Sequence, residues 1–468
     1  MKNRKILKSM IVLIVAVLLC CGCSGGYTSE ENPVENDSQE MVEEAPVSVQ
    51  ISYGSSFSNG VAWVKYIDQT GSEGIGLLNT EGIITPINED VKPYFTADEH
   101  YDFGSDYSNG YAYRNYEDKS NPSESLNQFV VIDSSGNVVG RSPSDGNYEI
   151  LTGGDGVFLV KQTVRSMTTN ETRIGIIDKE GNWICEPAVQ NVFSLSSTAQ
   201  DNYREGDVYY LYHGEHIFSA YYDSRYDFFG SDYSCIYNAD TGATAEYANT
   251  KLSIYRVPYY FSDGKAIAVS DDTVYCIDTE LKTTPIIVDR PDGDVYFQDG
   301  ILFTGEFSYR GNGPSPYVEN GKFYRIDGST LVDLSQYTLI INDAYDLYRY
   351  ENGYASVVVY GEDKGLYLGI INIDGKFAFE PLEINSYVNK DTIGTFSCGV
   401  IATEIDKNID GKTYSKEVLL TTTGEIVEFE VDGIEVDSLV FFDGFAWDSK
   451  GKHYIDTSGN VMNVVLNN

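Results

Sequence analysis

Histidine is scarce in this chain, with 4 residues in 468, alongside only 3 Trp and 5 Met. His100, His213, His216 and His453 are too scattered to suggest a histidine-built metal or acid–base centre. His213-Gly214-Glu215-His216 has ligand spacing only on a helix. Its neighbours Tyr209-Tyr210-Leu211-Tyr212 and Ile217-Phe218 read as extended, so this pair is expected as exposed loop residues.

Positive charge is the second shortage. Against 71 Asp and Glu stand 32 Lys and Arg, a formal net charge of −39. That balance argues against nucleic acid and anionic lipid headgroups as partners. It suits solubility, cation binding or a basic partner, and it keeps β-rich surfaces from sticking to one another. Also absent are a P-loop and a G-x-S-x-G elbow, and the four cysteines beyond the first 23 residues form no C-x-x-C pair. Cys185, Cys235, Cys276 and Cys398 are far apart and read as small buried residues. The many carboxylates include no pair that sequence can place at glycosidase separation.

No apolar run is long enough for a membrane-spanning helix. The longest, Met10 to Leu19, follows Lys2, Arg4, Lys5 and Lys8, which makes residues 1–22 an export signal. It ends in Cys20-Cys21-Gly22-Cys23, which resembles a bacterial lipoprotein signal. The resemblance implies that Cys23, behind a small residue, is lipidated and becomes the mature N-terminus, with Cys21 as second candidate. Acyl chains there would anchor the protein to the outer face of the cell membrane. Residues 23–48 then form the anchor and an acidic tether: Glu30, Glu31, Glu35, Asp37, Glu40, Glu43 and Glu44, without Lys or Arg. Such a stretch buries too little to offset its ordering entropy.

Sustained apolar positions at helical spacing are missing from residues 49–468, while Tyr, Val, Ile, Thr and Phe alternate throughout. In place of helices stands a repeated phrase. Its clearest copies are Phe57-Ser58-Asn59-Gly60-Val61-Ala62-Trp63-Val64, Tyr107-Ser108-Asn109-Gly110-Tyr111-Ala112 and Phe261-Ser262-Asp263-Gly264-Lys265-Ala266-Ile267, and a later one is Phe442-Asp443-Gly444-Phe445-Ala446-Trp447. A second half follows, as in Ile174-Gly175-Ile176-Ile177-Asp178-Lys179-Glu180-Gly181, which reads as strand, tight turn and strand. The marker glycines are Gly60, Gly110, Gly156, Gly206, Gly264, Gly300, Gly353, Gly399 and Gly444. Their spacing suits repeats of about 40–50 residues. The phrases resemble the WG-repeat family of bacterial proteins. The namesake Trp is replaced by Ile75, Ile174 and Leu368, while Gly76, Gly175 and Gly369 remain.

The fold expected is all-β: a propeller-like repeat of eight or nine blades, with an open β-solenoid as the alternative. Apolar segments at both ends, Val47 to Ile51 and Val461 to Leu466, favour closure. The long unit around Gly206 is the candidate insertion if one unit is not a blade.

Two segments carry candidate chemistry. Asp406 to Glu417 satisfies the calcium-loop pattern, with Asp406, Asn408, Asp410, the Lys412 carbonyl and Glu417 as ligands. Its flanks read as strands, and a polar hairpin is the competing reading. The 38 Tyr include a cluster of Tyr209, Tyr210, Tyr212, Tyr221, Tyr222 and Tyr226, a possible partner surface or simply blade core. Together these readings point to a non-catalytic envelope lipoprotein that displays a repeat surface to a protein or glycan. The alternative is a propeller-type polysaccharide hydrolase or lyase working through carboxylates.

Overall fold

The computed structural model describes residues 47–88, 91, 94, 107–118, 126–165, 170–188, 208–222, 233–248, 261, 263–269, 273–288, 295–298, 300–308, 317–340, 350–361, 365–384, 393–409 and 412–467. Residues 46–468 make one compact unit. Cys21 and Cys23 lie outside the described residues.

Runs such as Phe129-Val130-Val131-Ile132 and Val157-Phe158-Leu159-Val160 are apolar at every position rather than at alternate ones. The structure explains why: both faces of these strands are buried. Val157 and Leu159 face one core, whereas Phe158 and Val160 face another. Each strand therefore belongs to two cores at once.

The strands form nine successive antiparallel units among the described residues. Unit one contains Gln50–Gly54, Val61–Ile67, Glu73–Asn79 and Ile83–Pro86. Unit two contains Tyr111–Asp118, Leu126–Asp133 and Val138–Arg141; unit three, Asn147–Gly154, Val157–Arg165, Asn170–Asp178 and Trp183–Ala188. Unit four contains Val208–Tyr212, Ile217–Tyr222, Tyr233–Asn238 and Thr244–Ala248, and unit five Lys265–Val269, Thr273–Asp278 and Thr283–Val288. Unit six has Tyr296–Gln298, Ile301–Ser308, Tyr317–Arg325 and Thr330–Asp333. Unit seven has a first strand in two pieces, Thr338–Ile340 and Tyr350–Glu351, before Tyr354–Tyr360, Leu366–Asn372 and Leu382–Ile384. Units eight (Val400–Ile409, Lys412–Thr421, Ile426–Glu428) and nine (Phe445–Asp448, His453–Asp456) complete the series. Thr338–Ile340 also pairs with Tyr317–Arg325, which joins units six and seven into one sheet.

Apolar cores lie between neighbours all the way round. Trp63 and Leu77 meet Ala112 and Val130; Ile176 meets Phe218; Ile217 meets Ala266; Ile267 meets Leu302; Phe323 meets Ala355. Units seven and eight share Ile370 and Ile401, and units eight and nine share Leu419 and Ile455. The last core joins Tyr454 and Val464 to Ile51, Phe57 and Val64 of unit one. Phe57 packs 5.3 Å from Phe445 and 5.1 Å from Tyr454. The fold is an all-β, propeller-like closed succession of nine units, not an open solenoid.

Unit four is a complete four-stranded sheet, which corrects its reading as an insertion. Gly206 lies outside the described residues, and the turn that matches the other markers is at Glu215-His216. Val47–Ser48, placed in the tether by sequence, pairs with Val465–Leu466 and belongs to the body.

Gly175 shows why a glycine is needed at this place in the second half of a unit. The outer strand bulges across it, and a Cβ there would come within 2.7 Å of the Cys185 carbonyl and 2.8 Å of the Trp183 ring.

Candidate interaction faces

The phrase before each marker glycine is a two-residue hairpin turn. Asn59 and Gly60 have φ of 52° and 79°, Asn109 and Gly110 48° and 85°, Asp443 and Gly444 51° and 87°. Positive φ at both positions is the type I′ signature, matched to the twist of paired strands. Cys398-Gly399 has the same form (49° and 80°), and in unit four Glu215 and His216 adopt 47° and 58° with no glycine at either position, only Gly214 (80°) before them.

The second-half turns repeat as regularly. The Asp133 carboxylate accepts from the backbone N–H of Ser135 and Asn137, both at 2.9 Å, and Asp456 accepts from Ser458 and Asn460. Asn372 holds Asp374 and Lys376 in the same way. In unit eight the Thr421 hydroxyl takes this role toward Thr423 and Glu425. Since strands alternate in direction, both kinds of turn lie at the same end of every sheet. One face of the ring is therefore paved with short, internally bonded turns.

These turns are also bonded to one another across units. Asp443 Oδ2 accepts from Gly60 N at 2.7 Å, from the last unit to the first. The Asn59 side-chain oxygen, in the amide orientation that satisfies both groups, accepts from Asn109 N at 2.6 Å and Gly110 N at 3.3 Å. Glu215 Oε1 accepts from Gly264 N at 2.9 Å, and Glu351 Oε1 from Cys398 N at 3.0 Å. Ser108 Oγ donates to Asp155 Oδ1 at 3.0 Å, and Tyr212 OH donates to Asp155 Oδ2 at 2.5 Å. Sequence reasoning read the residue before each glycine only as a turn former. Asn59 and Asp443, directly before their glycines, and Glu351, one place earlier in its turn, also reach the next unit.

Tyr210 and Tyr212 pack against the core between units three and four. Tyr212 lies 5.1 Å from the Phe218 ring, and burial, then Asp155, pushes its phenol up. Tyr212 thus acts as a strut between units three and four. Tyr209 and Tyr221 are cross-strand neighbours on the backbone, and Tyr222 is paired with Val208. Tyr226 lies outside the described residues. His213 is buried, with Nε2 2.7 Å from Ser219 Oγ, and His216 Nδ1 is 2.8 Å from Asp240 Oδ1. The expectation of two exposed histidines therefore fails for His213.

The calcium-loop expectation also meets a different backbone. Val400–Ile409 and Lys412–Thr421 pair without a break, with Asp406 opposite Ser415, Asn408 opposite Thr413 and Ile409 opposite Lys412. Glu417 stands opposite Glu404, along the ladder from Asp406. A ladder commits the backbone to its neighbour strand, whereas a calcium loop must curl so that its oxygens converge. Asp406 to Glu417 is a long hairpin; Asp410 itself lies outside the described residues. Elsewhere among the described residues no group of three or more His, Cys, Asp or Glu is placed to hold a metal ion. Of the four described cysteines, Cys235 is buried and Cys185, Cys276 and Cys398 are half-buried, all as free thiols.

The opposite ends of the strands carry connections of very unequal length. Residues 68–72 make a tight turn in which Asp68 accepts from the backbone N–H of Thr70 and Ser72. By contrast, residues 223–232 separate Tyr222 from Tyr233, and residues 189–207 separate Ala188 from Val208.

No family model matches the chain, and no curated protein matches it. Solved structures that resemble it include the β-propeller domain of the Trilobed protease from Pyrococcus furiosus. That match has 12% identity, covers 61% of this chain and 86% of that one, and has a TM-score of 0.26. Another is the acylaminoacyl peptidase of Pyrococcus horikoshii (12% identity, 79% and 57% covered, TM-score 0.30). A third is a polysaccharide lyase of the PL25 ulvan lyase family (10% identity, 72% and 96% covered, TM-score 0.25). Likenesses this distant carry no argument about activity.

Proposed function

We propose that this chain is an exported, lipid-anchored WG-like repeat protein that holds a protein or glycan partner on the face of unequal connections, without catalysis. The contrast between the two faces carries this reading. Every described unit uses the same bonded turns on one face, as a framework requires, while variation in length is concentrated on the other. Binding surfaces are commonly built from connections held on a rigid scaffold. The charge of −39 restricts the partner to neutral or basic chemistry. Cys23 would supply the anchor and residues 24–46 the reach.

Two measurements test the proposal. Labelling cells with an alkyne fatty acid should mark the wild-type chain and not Cys23→Ala; equal labelling would remove the anchor. Co-sedimentation with purified envelope polysaccharide and with envelope protein should retain the chain on one of them. The polysaccharide should be recovered without new reducing ends or unsaturated sugar ends. Release of either product would replace the binding reading with the hydrolase or lyase reading.

A further inference from the structure

Eight of the nine junctions between units are crossed by the chain itself. The ninth, between unit nine and unit one, is not. It is held by the C-terminal strand Val465–Leu466, which lies parallel to Ile83–Pro86 on one side and antiparallel to Val47–Ser48 on the other. Val465 N donates to Gly82 O at 2.9 Å and Asn467 N to Ile84 O at 2.8 Å. Val49 N donates to Val464 O at 3.5 Å, and Val49, Val464 and Leu466 pack into the closing core.

Only Val49 separates Val47–Ser48 from Gln50–Gly54, the first strand of unit one. Yet these two strands stand at opposite ends of the six-stranded path. The path therefore bends back on itself, and residues 47–54 are at once the first strand of unit one and the cover over the C-terminal strand.

We propose that Val47–Ser48 is a strap, and that the body opens first at this junction when the strap lets go. Local opening starts where the fewest contacts must break. A two-residue ladder has far less to break than the continuous hairpins elsewhere, such as the ten-residue pair of Val400–Ile409 with Lys412–Thr421. Release of the strap frees Val465–Leu466 from one side and leaves the eight chain-crossed junctions with their cores. The strap directly follows the tether segment, so whatever restrains residues 24–46 acts on the closing strand. This proposal needs neither lipidation nor a partner to be true.

The test is amide hydrogen exchange on the full chain, comparing wild type, Val49→Pro and Ser38→Pro. Proline at 49 removes the N–H donated to Val464 O, and proline at 38 changes the preceding segment alone. Val49→Pro should speed exchange at Val465 and Asn467 by about tenfold or more, with Ile176, between units three and four, unchanged. Leu466→Ala, which trims the closing core, should give a smaller change with the same pattern. Ser38→Pro should match wild type. Unchanged exchange at Val465 and Asn467 would overturn the strap. So would an equal rise at Ile176, because the junction would then open only with the whole body.

Discussion

Units one and four fold the same turn from almost unrelated residues. In unit one the turn is Asn59-Gly60, the favoured pair for two positive φ values. In unit four it is Glu215-His216, which has no such preference and pays the steric cost of left-handed backbone twice. The backbone survives because the strands on either side are fixed by other means. Ile217 faces the core with unit five and Phe218 the core with unit three. Local turn chemistry announces the repeat, but packing between units enforces it.

The largest effect should come from the cores themselves. Phe57, in the closing core, and Phe218, between units three and four, are both fully buried. Phe57→Ala and Phe218→Ala should each cost about 3–5 kcal/mol in denaturant unfolding, because large side chains leave cavities that close only partly. Near-equal losses would mean that the closing junction is as well packed as an internal one. A loss below about 1 kcal/mol for Phe57→Ala would sink the closed arrangement.

Next is Tyr212→Phe, which removes the hydroxyl shared with Asp155. Asp155 keeps Ser108 as a partner, so a loss of about 1–2 kcal/mol is expected. The pH dependence carries more information. A free tyrosine ionises near about 10. Burial raises Tyr212 and Tyr107 well above this, and raises Tyr350 to about 12. The neutral phenol is thus favoured in the folded state. Its contribution is complete below about pH 10 and falls as pH rises further, where the unfolded chain releases the proton first. Tyr212→Phe should therefore flatten the alkaline loss of stability. An unchanged slope would mean that Tyr212 is not buried against unit three.

The comparison sharpens at the turns. Gly60 has open space around the position of a Cβ and a φ of 79°, so Gly60→Ala tests backbone strain with little else. It should cost about 1–2 kcal/mol. His216→Gly makes the reverse change in unit four. Relief of strain there is set against the lost contact with Asp240, so it should be close to neutral or stabilising in thermal unfolding. A His216→Gly loss as large as that of Gly60→Ala would show that the histidine side chain, not the packing around it, holds this turn.

Much of this fold is visible in the sequence because it follows from short-range rules. Asn-Gly and Asp-x-x-Gly phrases mark hairpins, and continuous apolar runs mark strands buried on both sides. Unit four escaped because its marker is Glu-His, and Gly206, which resembles a marker, lies outside the described residues. Closure was legible in outline, since the apolar segments Val47 to Ile51 and Val461 to Leu466 favoured it and Val47–Ser48 does pair with Val465–Leu466; the parallel pairing of that last strand with Ile83–Pro86 has no local signal. The candidate site residues were legible least. The Asp406–Glu417 pattern matched a calcium loop letter for letter, and its strand-forming flanks continue inward as a ladder to the Ile409–Lys412 pair. Tyr212 was found as an aromatic of interest, but sequence cannot say whether a tyrosine faces a partner or the next blade.

The smallest expected effect concerns the bonds between turns. Asp443 is exposed, and its carboxylate accepts from Gly60 N across the closing junction. Glu215 makes the equivalent bond to Gly264 N inside the ring. The Asp443 bond is exposed and the Glu215 bond half-buried, and water partly replaces either when it is lost, so Asp443→Ala and Glu215→Ala should each cost about 1 kcal/mol or less. Their difference matters more than their size. Units four and five remain linked by the chain when Glu215 is cut back, whereas units nine and one have no such link. If the closing junction opens separately, Asp443→Ala should raise amide exchange at Gly60, Val465 and Asn467 together, while Glu215→Ala affects only Gly264. Equal and purely local responses would show that the turn-to-turn bond adds nothing to closure, which the core around Phe57 and Tyr454 would then carry alone.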